Sequence, residues 1–174
     1  WRQYDHIVRD GTVVRPGAGD AAVVRVFCGD DEAPIEKFLA LSSDCNGRHV
    51  QLDPKAGAAM AVAECARNVV CSGGQPLGLT DCLNFGNPEV PETMWRFAQA
   101  IEGLRDACLA LKLPVVSGNV SLYNETDGAP ILPTPTVAVV GKLDKAEDRL
   151  SMVFKRQADM IALIGHPGTG NLSG

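Results

Sequence analysis

Asp81, Asn84, Asn119, Ser121, Tyr123 and Asn124 stand at the ends of apolar runs, in the strings TDCLNFGNPE (80–89) and PVVSGNVSLYNET (114–126). Glycines accompany them. Short carboxylate, amide and hydroxyl side chains at strand mouths, beside backbone that glycine leaves open, are the groups that hold a phosphate and a hydrated hard cation. On a strand, alternation puts Asn119, Ser121 and Tyr123 on one face and Val120 and Leu122 on the other. Gly118 lets a ligand approach the backbone closely. An amide oxygen for a metal and a hydroxyl for a substrate would then lie two residues apart, although the polar outer face of an edge strand gives the same pattern. Asp81 follows the apolar PLGL, and a carboxylate at the end of such a run is usually paired or bound to something.

A second group interrupts KAGAAMAVAECARNVVCSG, a segment apolar nearly all round and therefore expected to form a buried helix. Glu64 and Asn68, four apart, share one face, with Arg67 beside them. A buried carboxylate needs a cation or several donors. Two readings fit: a Glu64–Arg67 ion pair near the helix end, or Glu64 and Asn68 as oxygen ligands of Mg²⁺ with Arg67 near a phosphate. Oxygen donors without Cys or His suit a hard ion rather than zinc. Asp20 opens the first strand in GAGDAAVV, flanked by Gly17 and Gly19, and on the residues alone reads as a turn aspartate. The closing GHPGTG (165–170) lacks the Lys-Ser/Thr of a Walker loop, but its amides suit phosphate. His6, His49 and His166 are isolated, and no Ser-His-Asp or Cys-His arrangement stands out.

The elements that must carry these groups follow from periodicity. AAVVRVF (21–27) and KFLALSSD (37–44) read as strands around the turn-like GDDEAP. A helix runs from Pro54 to about Gly73, with proline in its first turn. PLGLTDCL (76–83) is a strand. Met94, Phe97, Ile101, Leu104, Cys108 and Leu111 recur at three- and four-residue steps within a helix over 88–113. PVVSGNVSLY (114–123) and TPTVAVVGKL (134–143) are strands, 144–157 is a charged linker, and MIALIG (160–165) is a last strand. The order β-β-α-β-α-β-β predicts an α+β fold with helices on one face of an antiparallel or mixed sheet. The bare face then needs a partner, another copy or another repeat.

A net charge of −5, with 16 scattered basic residues, gives no footprint for nucleic acid. No apolar run approaches the roughly 20 residues that span a bilayer, and none resembles a targeting signal. Six cysteines contain no C-x-x-C and no His at metal-ligand spacing, so they read as reduced, buried residues of a cytosolic protein. Because the sequence starts at Trp1 and stops inside a glycine-rich loop, it is expected to be a piece of a longer chain.

Three long strings carry a resemblance: RQYDHIVRDGTVVRPGAGDAAVVRV (2–26), LDPKAGAAMAVAECARNVVCSGGQPLGLTDCLNFGNPE (52–89) and PVVSGNVSLYNETDGAPILPTPTVAVVG (114–141). Together they resemble the second half of the small bacterial form of phosphoribosylformylglycinamidine synthase, in the aminoimidazole ribonucleotide synthase superfamily. The resemblance implies two related repeats, each an α+β domain followed by an α/β domain, with the two α+β sheets paired into a barrel. Residues 1–19 would be a leading segment, 20–143 the α+β domain of the second repeat, 144–157 a linker, and 158–174 the truncated start of the α/β domain. It implies a cytoplasmic ligase that uses ATP and Mg²⁺ to phosphorylate the amide of formylglycinamide ribonucleotide, ammonia then displacing the phosphate. By matching motifs, Asp81 and Gly118 would contact ATP, Asn119 would bind Mg²⁺ and Ser121 would touch substrate. Asp20, Glu64 and Asn68 would form an auxiliary nucleotide and Mg²⁺ site. The catalytic histidine would lie in the first repeat, so this chain would have no catalytic residue and no activity alone. Implied partners are the first repeat, a glutaminase subunit and a small accessory subunit, with a homodimer as a substitute for the missing repeat. Other superfamily members (aminoimidazole ribonucleotide synthase, selenophosphate synthetase, thiamine-phosphate kinase) and a non-catalytic nucleotide-binding scaffold are the competing readings.

Overall fold

The computed structural model describes residues 11–15, 17–30, 32–33, 35–163 and 165. The strands are β1 (Thr12–Val14), β2 (Ala22–Cys28), β3 (Ile35–Asp44), β4 (Gln75–Asn84), β5 (Val115–Ser121), β6 (Glu125–Thr126), β7 (Ala129–Pro130) and β8 (Thr134–Leu143). Among the described residues the helices are α1 (Gly47–Leu52), α2 (Pro54–Cys71) and α3 (Pro91–Leu111), with a 3₁₀ turn at Ala146–Asp148. One six-stranded sheet runs in the order β1-β2-β3-β8-β4-β5, and β6-β7 form a separate small hairpin. All neighbours in the large sheet are antiparallel except β4 and β5, which the α3 crossover makes parallel. The expected mixed sheet with helices on one face is therefore present.

Local chemistry explains the helices. The Asp53 carboxylate accepts from Ala56 N at 2.9 Å, and Pro54 occupies the first turn of α2, where no amide is needed. α3 also begins with proline and closes on Lys112 in the left-handed region, φ 54°. Small residues let the layers approach. A Cβ on Gly103 of α3 would run into the backbone of Lys55 in α2, and one on Gly141 of β8 into Val69 of α2. Val62, Cys65 and Val69 of α2 thus meet Val137 and Val139 of β8, Phe38 and Ala40 of β3, and Leu79 and Leu83 of β4 in one core. Burying each Val or Leu there contributes roughly 1.5–3 kcal/mol of transfer free energy.

α2 is not buried all round. It is held between the sheet and α3, which explains its Ala/Val composition, yet Glu64, Arg67, Val70 and Cys71 stay on an exposed side. β1, α1 and the β6-β7 hairpin were not expected. The hairpin turns on Asp127 and Gly128, both at positive φ (51° and 76°), the two-residue Asp-Gly turn that matches strand twist. The last expected strand does not form over the described residues 160–163. Met160, Ile161 and Leu163 are 97, 80 and 83 % exposed and lack regular structure, because no described strand pairs with them. The remainder of 158–174, with most of GHPGTG and His166, and residues 1–10 with His6 lie outside the described residues.

Candidate functional site

With α2 and α3 on one side, no described helix covers the other side of the sheet. The register divides it into two halves. Ala22 and Val24 of β2 pair with Leu41 and Leu39 of β3, and Leu41 pairs with Val140 of β8, which makes an apolar half. Toward the β5 edge, Thr80, Cys82 and Asn84 of β4 lie between Ser117, Asn119 and Ser121 of β5 and Ala138, Thr136 and Thr134 of β8. This half is a polar ladder. Ser117 Oγ donates to Thr80 Oγ1 at 2.6 Å, and Asn119 Nδ2 reaches Cys82 Sγ at 3.7 Å. Asn119 is exposed, and no described residue engages its Oδ1, which is left to accept or ligate.

Asp81 and Gly118 are also opposite each other, but on the helix side of the same two strands. The carboxylate lies directly over Gly118: a Cβ there would sit 2.7 Å from both Asp81 oxygens. That position needs glycine. Among the described residues no hydrogen bond or ion pair holds the Asp81 carboxylate, and burial pushes its pKa above the ordinary carboxylate range. Here α3 stands away from β5 and leaves a largely apolar hollow of about 730 Å³, lined by Asp81, Leu83, Leu104, Cys108, Leu113 and Val115, with Arg105 and Lys112 at the rim. A ligand touching Asp81, Gly118, Asn119 and Ser121 together must reach round the open edge of β5.

Tyr123 does not continue the alternation with Asn119 and Ser121. The strand ends at Ser121, and Tyr123 turns into the left-handed region at φ 59°, with its ring largely exposed. Asn84 is spent on the scaffold, its Nδ2 donating to Cys82 O at 2.9 Å and Thr134 O at 3.3 Å.

The third set lies at the far end of β3. Asn68 Nδ2 donates to Ser42 Oγ at 3.3 Å and Asp44 Oδ2 at 3.4 Å. Burial raises the Asp44 pKa, the Glu64 charge raises it further, and the Arg67 charge opposes both. Asp44 was missed in the sequence because it reads as the polar end of a strand; only folding brings it to Asn68. Glu64 is exposed rather than buried, and among the described residues no ion pair joins it to Arg67. Asp20 is an exposed residue just before β2, where Ala21 N donates to Ser72 Oγ at 2.8 Å at the end of α2. No group of three or more His, Cys, Asp or Glu among the described residues is arranged to hold a metal. Carboxamide and carboxylate oxygens facing solvent nonetheless suit a hydrated Mg²⁺ bound jointly with phosphate, which takes only one or two protein ligands.

No described helix is long and apolar enough to cross a membrane. A phosphoribosylformylglycinamidine synthase subunit PurL of Anaeromyxobacter sp. (strain Fw109-5) is 58% identical over 165 residues, 95% of this chain and 21% of that protein. T. maritima PurL complexed with ATP superposes with a TM-score of 0.66 at 35% identity, covering 76% of this chain and 21% of that one. T. maritima PurL complexed with FGAR gives 0.67 at 37% identity, covering 82% and 22%. The chain thus spans about a fifth of the length of these relatives. Residues 18–143 match the family described as AIR synthase related protein, N-terminal domain, and the chain belongs to that family.

Proposed function

We propose that this chain is the second-repeat amino-terminal segment of a cytoplasmic ATP-dependent ligase that converts formylglycinamide ribonucleotide and ammonia into the amidine. The observation that carries the reading is the β4–β5 pair. It offers an unpartnered carboxylate over Gly118 on one face and a ladder of amides and hydroxyls on the other. In this reading Asp81 and the Gly118 backbone bind ATP, Asn119 Oδ1 binds the nucleotide's Mg²⁺, and Ser121 Oγ touches the substrate. Bound Mg²⁺ would neutralise charge on the phosphoryl oxygens. The chain's own residues bind and orient; the proton transfers belong to a histidine of the first repeat. Asp20, Glu64 and Asn68, joined by Asp44, form the auxiliary nucleotide site.

The domain limits are 20–143 with 144–157 as linker. A glutaminase subunit delivers ammonia, a small accessory subunit completes the assembly, and the open sheet face pairs with the first repeat. The test is turnover by the complete polypeptide with ATP, formylglycinamide ribonucleotide and ammonium salt. Stoichiometric ADP and amidine are expected, and none from the 174-residue chain alone. ATP consumption with another acceptor but never with formylglycinamide ribonucleotide would overturn the reading.

A further inference from the structure

The polar ladder ends at a kink whose construction is out of proportion to its length. Phe85 N donates to Ser121 O at 3.0 Å, Tyr123 N to Gly86 O at 3.0 Å, Asn124 N to Phe85 O at 3.1 Å and Ile131 N to Asn124 O at 3.0 Å. The side chain of Asn124 fills the centre. Its Nδ2 donates to Phe85 O at 3.0 Å and to Ser121 O at 2.9 Å. Ser121 Oγ lies 3.2 Å from Asn124 Oδ1 and 3.1 Å from Nδ2. One half-buried carboxamide therefore ties the end of β4, the end of β5 and the start of the β6-β7 hairpin to one hydroxyl. Tyr123 between them takes a left-handed φ of 59°, unfavourable for a non-glycine residue, and such strain persists only where its surroundings over-determine it.

We infer that Asn124 is a positioning residue. It acts through Ser121, fixing where that hydroxyl points and holding it on the open face at the β5 mouth. The inference rests on the proposed role of Ser121 toward the substrate. A hydroxyl rotates about its own bond, so preorganisation requires a fixed partner; Asn124 is that partner, and it is itself fixed by two carbonyls. Asparagine is needed because the site asks for two donated bonds and an accepting oxygen from one planar group.

Asn124→Asp keeps the shape and the accepting oxygen but sets a carboxylate oxygen against Phe85 O and Ser121 O. In the complete synthase, fed with ammonia, the KM for formylglycinamide ribonucleotide should rise about tenfold, the loss of roughly one well-placed hydrogen bond. The KM for ATP should stay within twofold. Against Ser121→Ala the two changes should not add, because the second variant removes the group through which the first acts. If Asn124→Asp does not fold, Asn124→Ala, which introduces no charge, serves in the same cycle. Equal rises in both KM values, additive effects, or an unchanged KM for formylglycinamide ribonucleotide would each overturn the inference. If the unsubstituted synthase turns over no formylglycinamide ribonucleotide at all, it is the proposed function that has failed.

Discussion

Adding one methyl group at Gly118 probes the Asp81–Gly118 pair directly. A Cβ there would lie 2.7 Å from both carboxylate oxygens of Asp81, whereas ordinary contact begins at 3.4 Å, so the carboxylate must withdraw by 0.7 Å. The obstruction is the end of one side chain, half-exposed and bound to nothing else among the described residues, so the carboxylate can turn away about its own torsions. Gly118→Ala should therefore cost about 1 kcal/mol, the low end for overpacking, or about 2–4 °C in Tm for a chain of this size. Gly141→Ala is the control. Its Cβ would meet Val69 and lie 2.9 Å from Gln75 O in the buried layer between β8 and α2, where nothing can swing aside. About 3 kcal/mol is expected there. In the complete synthase, Gly118→Ala should raise the KM for ATP about tenfold if, as proposed, the Asp81 carboxylate contacts the nucleotide. Two results would contradict this role for the pair. If Gly118→Ala melts as low as Gly141→Ala, the pair is part of the packing. If it melts near wild type and the KM for ATP does not move, the pair is not a nucleotide contact.

Asn119→Ala should lower kcat about a hundredfold, the ~3 kcal/mol typical of one lost transition-state contact, and shift the Mg²⁺ dependence while Tm hardly moves, because Asn119 is exposed and its recorded bond is a long one to sulfur. Burial raises the folded-state pKa of Asp81, so folding binds its proton more tightly and stability falls as pH rises through that pKa; Asp81→Asn should accordingly gain more in Tm at pH 8 than at pH 4, and the reverse order would contradict the desolvation argument. Glu64→Gln should leave Tm nearly unchanged, since Glu64 is exposed, and should lower the Asp44 titration midpoint followed by NMR, because one of two raising influences is removed. The isolated chain should dimerise through the apolar half of its open face, and Leu41→Glu should return it to a monomer by light scattering; a wild-type monomer at high concentration would count against this.

Much of the fold was legible because its signals are local and redundant. Pro54 marked the start of α2, and Phe97, Leu104 and Cys108 among the apolar steps face the core from α3, whereas Met94, Ile101 and Leu111 stay exposed and the helix begins at Pro91 rather than at 88. Glu64 was misjudged for an equally physical reason. Ala and Val all round a helix indicate two packed sides, and composition does not say that a third side faces water. The β6-β7 hairpin carried a readable Asp-Gly turn, but strands of two residues have too little periodicity to register. Within the candidate site, alternation correctly paired Asn119 with Ser121. It could not reveal that Asp81 sits over Gly118 on the opposite face, because that depends on the register between β4 and β5, set by the α3 crossover. Asp44 and the bonds of Asn124 were hidden for the same reason. Met160–Leu163 show the converse: an apolar run has strand propensity but forms no strand without a neighbour.

In the proposed function, the mouths of β4 and β5 hold nucleotide and substrate in a protein that phosphorylates an amide oxygen. The most direct measurement is isotopic. Formylglycinamide ribonucleotide carrying ¹⁸O in its amide is turned over by the complete polypeptide with ATP and ammonia, and the released phosphate is examined by ³¹P NMR. One ¹⁸O per phosphate is expected from the wild type, with label transfer falling in step with turnover in Asn119→Ala. Unlabelled phosphate accompanying amidine formation, or full label transfer at the wild-type rate in Asn119→Ala, would contradict the account.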